Sequence, residues 1–179
     1  IFCIWGSMDL TELQRNMTYH GMEIPFPRPL LYYDVQKLYS LEYSDGKSHI
    51  SLDHAVEQLE LNQERPFHRA LDDAVYTGRT LRMIHMETYG IYRSIDYYRL
   101  PERGSSYKLK FPEYSKYISG EFDCKEEILK DKEISDIICV KCSRMLRKKI
   151  RWFSYGQRFY FALGICPEHG YMKGKIRVK

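Results

Sequence analysis

The sequence predicts an α/β domain followed by a small β-rich domain knit together by a metal ion. Three observations carry this prediction. Over residues 1–90, short apolar and aromatic runs alternate with stretches whose apolar residues recur at helical spacing. Cys139-Val140-Lys141-Cys142 and Cys166-Pro167-Glu168-His169 are two half-sites of matched metal-ligand spacing. The segment between them is aromatic and strand-like, with a turn-forming Ser154-Tyr155-Gly156-Gln157 in its middle.

The elements follow in order. Phe2 to Ile4 reads as a strand, and Leu10, Leu13 and Met17 lie at helical spacing in the helix after it. Pro25, Pro27 and Pro29 mark an extended connection, because proline fixes φ and lacks a donor. Leu30 to Val35 reads as a second strand. Ser51 is placed to cap a helix with Leu52, Ala55, Val56 and Leu59 on one face. Pro66 can open a helix that runs to Met86 or Tyr89, with Gly90 after its end. Residues 91–135 read as a connector, with a short helix over Glu126 to Lys130, and residues 136–179 as the metal-knit domain. In the latter, Ile150 to Phe153 and Phe159 to Leu163 are the expected hairpin strands.

Composition narrows the classes. With 44% hydrophobic and 15% aromatic residues, the 179-residue chain can build a packed core. No apolar run reaches transmembrane length, so no membrane partner is expected. Five cysteines is an odd number, and the paired spacings favour a metal site in a reducing compartment, the cytoplasm, over a disulfide framework. Cys3, in an apolar strand, reads as a small core residue, and Cys124 has no partner at ligand spacing.

His68-Arg69-Ala70-Leu71-Asp72-Asp73-Ala74 is the most informative stretch. Residues five apart on one helix differ by roughly 140° and cannot converge. His68 is therefore expected just before the helix, leaning back over it. Asp73 fits the inward face better than Asp72, because Asp73, Thr77, Leu81 and Ile84 share a stripe. Upstream, Trp5-Gly6-Ser7-Met8-Asp9 places an acid at the start of a helix. Asp9-Leu10-Thr11-Glu12 is also a capping box, and the two roles are compatible.

These motifs, in this order, resemble the DEDDh (DnaQ-like, RNase T-type) 3′–5′ exonucleases. His68 to Asp73 is similar to the family's H-x-x-x-x-D motif, and Trp5-Gly6 to Asp9 to its W-G-x-x-D motif. Leu30 to Gln36 resembles the strand between them, and Ser51 to Val56 the short helix before the histidine. The resemblance covers about the first half of the chain. It implies part of an RNase H-like fold, two divalent cations (Mg²⁺ or Mn²⁺) and hydrolysis of phosphodiester bonds from a single-stranded 3′ end of RNA or DNA. It assigns metal binding to Asp9 and Asp73, and proton acceptance to His68, a side chain suited to that role near neutral pH. The family's first motif, D-x-E on a strand, has no counterpart ahead of Trp5. The chain is therefore expected to be the later part of a longer protein, or a form that lost that strand. Either way it is expected to bind the catalytic cations poorly and to be inactive alone.

The second site resembles a zinc ribbon. Cys139, Cys142, Cys166 and His169 are the expected ligands of a structural Zn²⁺, since four protein ligands leave no open position. The net charge of +4 conceals a concentration of cations here. From Lys141 onward the only acid is Glu168, against Lys141, Arg144, Arg147, Lys148, Lys149, Arg151, Arg158, Lys173, Lys175, Arg177 and Lys179. Lys148, Lys149, Arg151 and Arg158 are the candidate phosphate contacts, beside Trp152, Phe153, Tyr155 and Tyr160. Trp152 and Phe159 are equally suited to forming the small core. The alternative function is thus a non-catalytic nucleic-acid-binding protein that works through the basic ribbon.

Overall fold

The computed structural model describes residues 1–102, 105–111, 114–119, 125–139, 141–156 and 159–177. The chain divides into two compact units, Ile1–Arg99 and Leu100–Lys179. Both helices and sheets are present, so the mixed α/β class holds.

The first unit is built on a three-stranded sheet. Strand β1 (Phe2–Ile4) pairs in parallel with β2 (Leu31–Asp34), with Ile4 opposite Asp34, and β2 pairs antiparallel with β3 (Ser94–Ile95). Parallel pairing requires a crossover, which helix α1 (Met8–Tyr19) supplies. Phe2 and Ile4 pack with Leu10, Leu30 and Tyr32. Cys3 points to the opposite face by strand alternation and is exposed, not a core residue. On α1 the buried positions are Leu10 and Gln14, whereas Leu13 is 45% exposed. The Gln14 amide donates to Asp96 at 3.0 Å, so a polar pair fills the place expected for Leu13.

Val35 does not end β2 but starts α2 (Val35–Tyr43). The Asp34 carboxylate accepts the Lys37 N–H at 3.1 Å and caps the helix, which buries Val35, Leu38 and Tyr39. Ala55 of α3 (Leu52–Gln58) joins this core, as does Ile84, and Val56 of the same helix is also buried. Helix α4 spans Ala70–Met83. Pro66 does not open it, because residues 66–69 remain outside, and it stops before Met86. Ile84 is extended, and His85 starts the short α5 (Met86–Tyr89). Gly90 follows with φ −64°, not left-handed; a Cβ there would lie 2.5 Å from the Met86 carbonyl oxygen.

The second unit carries a five-stranded sheet in the order β4-β5-β8-β7-β6. Its strands are β4 (Ser106–Lys110), β5 (Tyr114–Ser119), β6 (Arg147–Tyr155), β7 (Phe159–Cys166) and β8 (Gly170–Arg177). Helices α6 (Lys125–Lys130) and α7 (Lys132–Ser135) precede β6. The stretch expected as a connector therefore supplies β3, a hairpin and two helices. Its tyrosine-rich composition suits half-buried strands. One face of β7 and β8 is the core: Ala162, Cys166 and Met172 pack with Ile137, Cys139 and Leu146, while Tyr160 and Ile176 pack with Ile128 and Ile134. Trp152 lies against both groups and donates to the Ser135 carbonyl at 2.6 Å. Trp152 and Tyr160 are thus core rings and not exposed platforms. Among the described residues, no helix is long and apolar enough to cross a membrane.

Candidate functional site

The turn after β1 aims α1. Gly6 takes φ +83°, open to glycine without a Cβ penalty, and its N–H donates to Asp34 Oδ1 at 3.2 Å. One carboxylate thus ties the end of β1 to the start of α2. Asp9 lies in the first turn of α1. The capping box is not formed: Ser7 holds the N-cap position, and Glu12 pairs with Arg15 at 3.2 Å.

His68 precedes α4 with φ +68°, a sparsely populated backbone region for a non-glycine residue. This turn directs its N–H at Asp73 Oδ1, 3.1 Å away. The five-residue spacing is therefore a closed local unit. Strained backbone of this kind costs on the order of 1–3 kcal/mol and is held by its surroundings. Here Phe67 stacks on Tyr76 with centroids 4.7 Å apart, and the Tyr76 hydroxyl donates to the Arg65 carbonyl at 2.8 Å. The Arg65 N–H in turn donates to that hydroxyl at 2.9 Å.

The two neighbouring acids divide the work. Asp72 is buried and pairs with Arg65 at 2.9 Å, on a face with Tyr76 and Thr80. That face is the more deeply buried one, so Asp72 and not Asp73 takes the inward position expected for Asp73, which is half-buried; Thr77 is buried as well, and the inward side of α4 is broader than the single stripe expected. Asp73 borders a cavity of about 300 Å³, together with Asp9, His68, Trp5, Phe67 and Asp53. Asp9, His68 and Asp73, each expected from sequence, are thus brought to one cavity. Gln36 also lines it, but its amide is engaged with the Ile50 carbonyl at 2.8 Å, and its oxygen faces His49 Nδ1 at 3.2 Å. His20, His49, His54 and His85 are all exposed.

Asp53 was not foreseen as a cavity residue. A hydrogen bond from the Ser51 side chain holds its carboxyl below the usual range, helped by the His54 amide and by the charge of His68. In sequence, an acid two residues after a capping serine looks like an ordinary first-turn residue. The cavity offers hard carboxylate oxygens, the donors that Mg²⁺ and Mn²⁺ prefer. They are not gathered into a tight cage. Among the described residues, the only group of three or more with metal-ligating atoms all within 4.8 Å of one another is Cys139, Cys142, Cys166 and His169.

That second cluster is made by two turns. Ser143 takes φ +60° after the first half-site and Gly170 φ +78° after the second, reversing the chain at each. Cys142 Sγ lies 3.7 Å from Cys166 Sγ. His169 Nδ1 lies 3.6 Å from Cys139 Sγ and 3.5 Å from Cys166 Sγ. A tetrahedron with arms of about 2.3 Å to sulfur and 2.1 Å to nitrogen has edges of about 3.6–3.8 Å. The donor set and the spacing therefore fit, and the cluster can hold an ion such as zinc. Burial pushes the Cys139 thiol up, but amide donors from Cys142 and Lys141 and the thiols of Cys142 and Cys166 bring it down to about 6. Cys142 is raised: the Arg144 amide lowers it, but burial and the two neighbouring sulfurs outweigh that donor.

The candidate phosphate contacts are dispersed. Lys148 pairs with Asp136 at 3.2 Å, Lys149 and Arg151 are exposed, and Arg158, like Cys124, lies outside the described residues. Comparison with protein-family models, curated proteins and solved structures gives no match to this chain.

Proposed function

We propose that the first unit carries the site of a metal-dependent 3′–5′ exonuclease of the DEDDh type on part of an RNase H-like fold, and that the second is a ribbon held by a structural zinc ion. One observation carries the first half: Asp9, His68 and Asp73, far apart in sequence or held by an unusual turn, line one cavity. The donor chemistry and tetrahedral spacing of Cys139, Cys142, Cys166 and His169 support the second.

In this reading Asp9 and Asp73 hold Mg²⁺ or Mn²⁺, which when bound would offset charge on the phosphate and the departing 3′ oxygen. His68 accepts the proton of the attacking water at its imidazole. The Asp53 carboxylate lines the same cavity as His68. The Asp73 bond to the His68 N–H fixes the base beside the metal-holding acid. Trp5 and Phe67 give the cavity apolar walls against which a terminal base can lie. Without the family's strand-borne D-x-E pair beside them, Asp9 and Asp73 are expected to hold the cations weakly. Mn²⁺ titration followed by NMR tests this: resonances of Asp9, Asp53, His68 and Asp73 should broaden first, and less so after Asp73→Asn. Broadening that spares these four residues would overturn the assignment.

A further inference from the structure

Among the described residues, the second unit has a half-exposed sheet face whose chemistry the metal cluster does not use. Cross-strand partners point to one side of a sheet. Tyr155 faces Phe159, Phe153 faces Phe161, Phe161 faces Lys175, Leu163 faces Lys173 and Ile165 faces Tyr171. All of these lie opposite the face that packs on Ile137 and Ile134. Core-facing positions of β7 are buried, while those on this side are only half-buried. The large side chains here stay in water: Phe153 is 47% exposed, Tyr155 68% and Tyr171 62%. Such a concentration of exposed rings marks an interaction surface.

Its charge points to the occupant. Strands β6, β7 and β8 contain no Asp or Glu. Lys173 Nζ sits 4.7 Å from the Phe161 ring centroid and Lys175 Nζ 4.6 Å from that of Phe159. Arg147, opposite Ile165, is on the same side. The rings form an array around Phe161, with centroids 5.8 Å away at Tyr155, 6.3 Å at Phe153 and 6.4 Å at Phe159. Rings interleaved with cations, on strands that carry no Asp or Glu, suit a polyanion that also offers flat apolar faces. An unpaired nucleic-acid strand has both: phosphates for the lysines and bases for the rings. Duplex hides its bases in the stack and would use the cations alone.

We propose that this face of β6, β7 and β8, centred on Phe153, Tyr155, Phe161 and Lys173, binds single-stranded nucleic acid by base stacking. Phe153 and Tyr155 are the stacking platforms. Lys173 leaves the Phe161 ring to meet a phosphate, and Lys175 and Arg147 lie on the same side. The assignment places the contacts on the aromatic side of the sheet and not on Lys148, which Asp136 engages. It is independent of the cavity in the first unit, so a failed nuclease assay would leave it standing.

The test is anisotropy of fluorescein-labelled dT12 and rU12 with the full, zinc-loaded chain. Neutralising three phosphates gives a slope of log affinity against log salt of about −2. Phe153→Ala/Tyr155→Ala should weaken binding at least about tenfold at every salt concentration and leave the slope unchanged. Lys173→Ala should reduce the slope by about 0.7. A duplex of equal length should bind at least about tenfold more weakly. Each altered side chain is exposed, so melting temperature and zinc content should hold; if the double variant failed to fold, the Lys173→Ala slope and the duplex comparison would still decide. Absence of binding at 50 mM salt, equal affinity for duplex, or an unaffected double variant would overturn the proposal. Equal competition by poly-glutamate would overturn it in favour of an acidic protein partner.

Discussion

Replacing Cys166 by serine tests the second unit at its most sensitive point. Cys166 is 1% exposed at the end of β7, and its sulfur faces both Cys142 and His169. The substitution removes one of four donors and leaves a hydroxyl among Ile137, Leu146, Ala162 and Met172. A domain of this size has a total stability of roughly 4–12 kcal/mol. Structural zinc contributes an apparent 10–16 kcal/mol, about as much or more. Loss of the ion should therefore unfold the unit outright and not merely shift its melting point. In amide-resolved NMR of the full chain, Cys166→Ser or a strong chelator should collapse the dispersion of the second unit, residues 100–179, and spare residues 1–99. Metal analysis of the unaltered protein should give one zinc per chain. Affinity should fall as pH drops from 7.5 to 5.5, because Cys139, with a pKa near 6, is a thiolate at the higher pH and regains its proton on the way down. A chelated protein that keeps its dispersion and melting temperature would refute the reasoning.

Two further outcomes follow from packing and charge. Gly174→Ala places a Cβ 2.7 Å from Trp152 Cη2 and 3.1 Å from Ile137 Cγ1; overpacking of this kind should cost about 1–3 kcal/mol by chemical denaturation, and an unchanged midpoint would contradict the packing. His85 is raised above its usual pKa, mainly by its hydrogen bond to Glu42 and then by that charge. A raised folded value means that the contribution is complete below the unfolded pKa of about 6.5 and is lost as pH rises through the folded value. His85→Ala should therefore lower the melting temperature more at pH 5.5 than at pH 8.5, and an equal loss at both would exclude the pairing as the cause.

Legibility in the sequence followed the physics of each signal. Ala55 and Val56, at helical spacing behind Ser51, were readable because burial alone decides them. The two half-sites were readable because ligand geometry fixes Cys139-x-x-Cys142 and Cys166-x-x-His169. His68 before a helix was readable because five residues cannot converge on one helix face; the left-handed backbone that makes it work left no trace in composition. Helix α2 was missed because its cap, Asp34, also ends a strand rich in leucine and tyrosine. Gln14 was missed because its burial depends on Asp96, far along the chain. The inward side of Trp152 was hidden because register shifts between Lys148 and Phe153 change which side chains of β6 share a side.

The measurement that bears most directly on the cavity is digestion of a 5′-labelled single-stranded oligonucleotide by the complete product of the reading frame in Mg²⁺ or Mn²⁺. The account predicts a ladder shortening one nucleotide at a time from the 3′ end. It predicts a rate lower by about a hundredfold or more after His68→Ala, and loss of activity after Asp73→Asn or Asp9→Asn, with Asp72→Asn affecting stability instead. Shortening that proceeds at the same rate without His68 and Asp73, or no shortening by the intact protein, would contradict it.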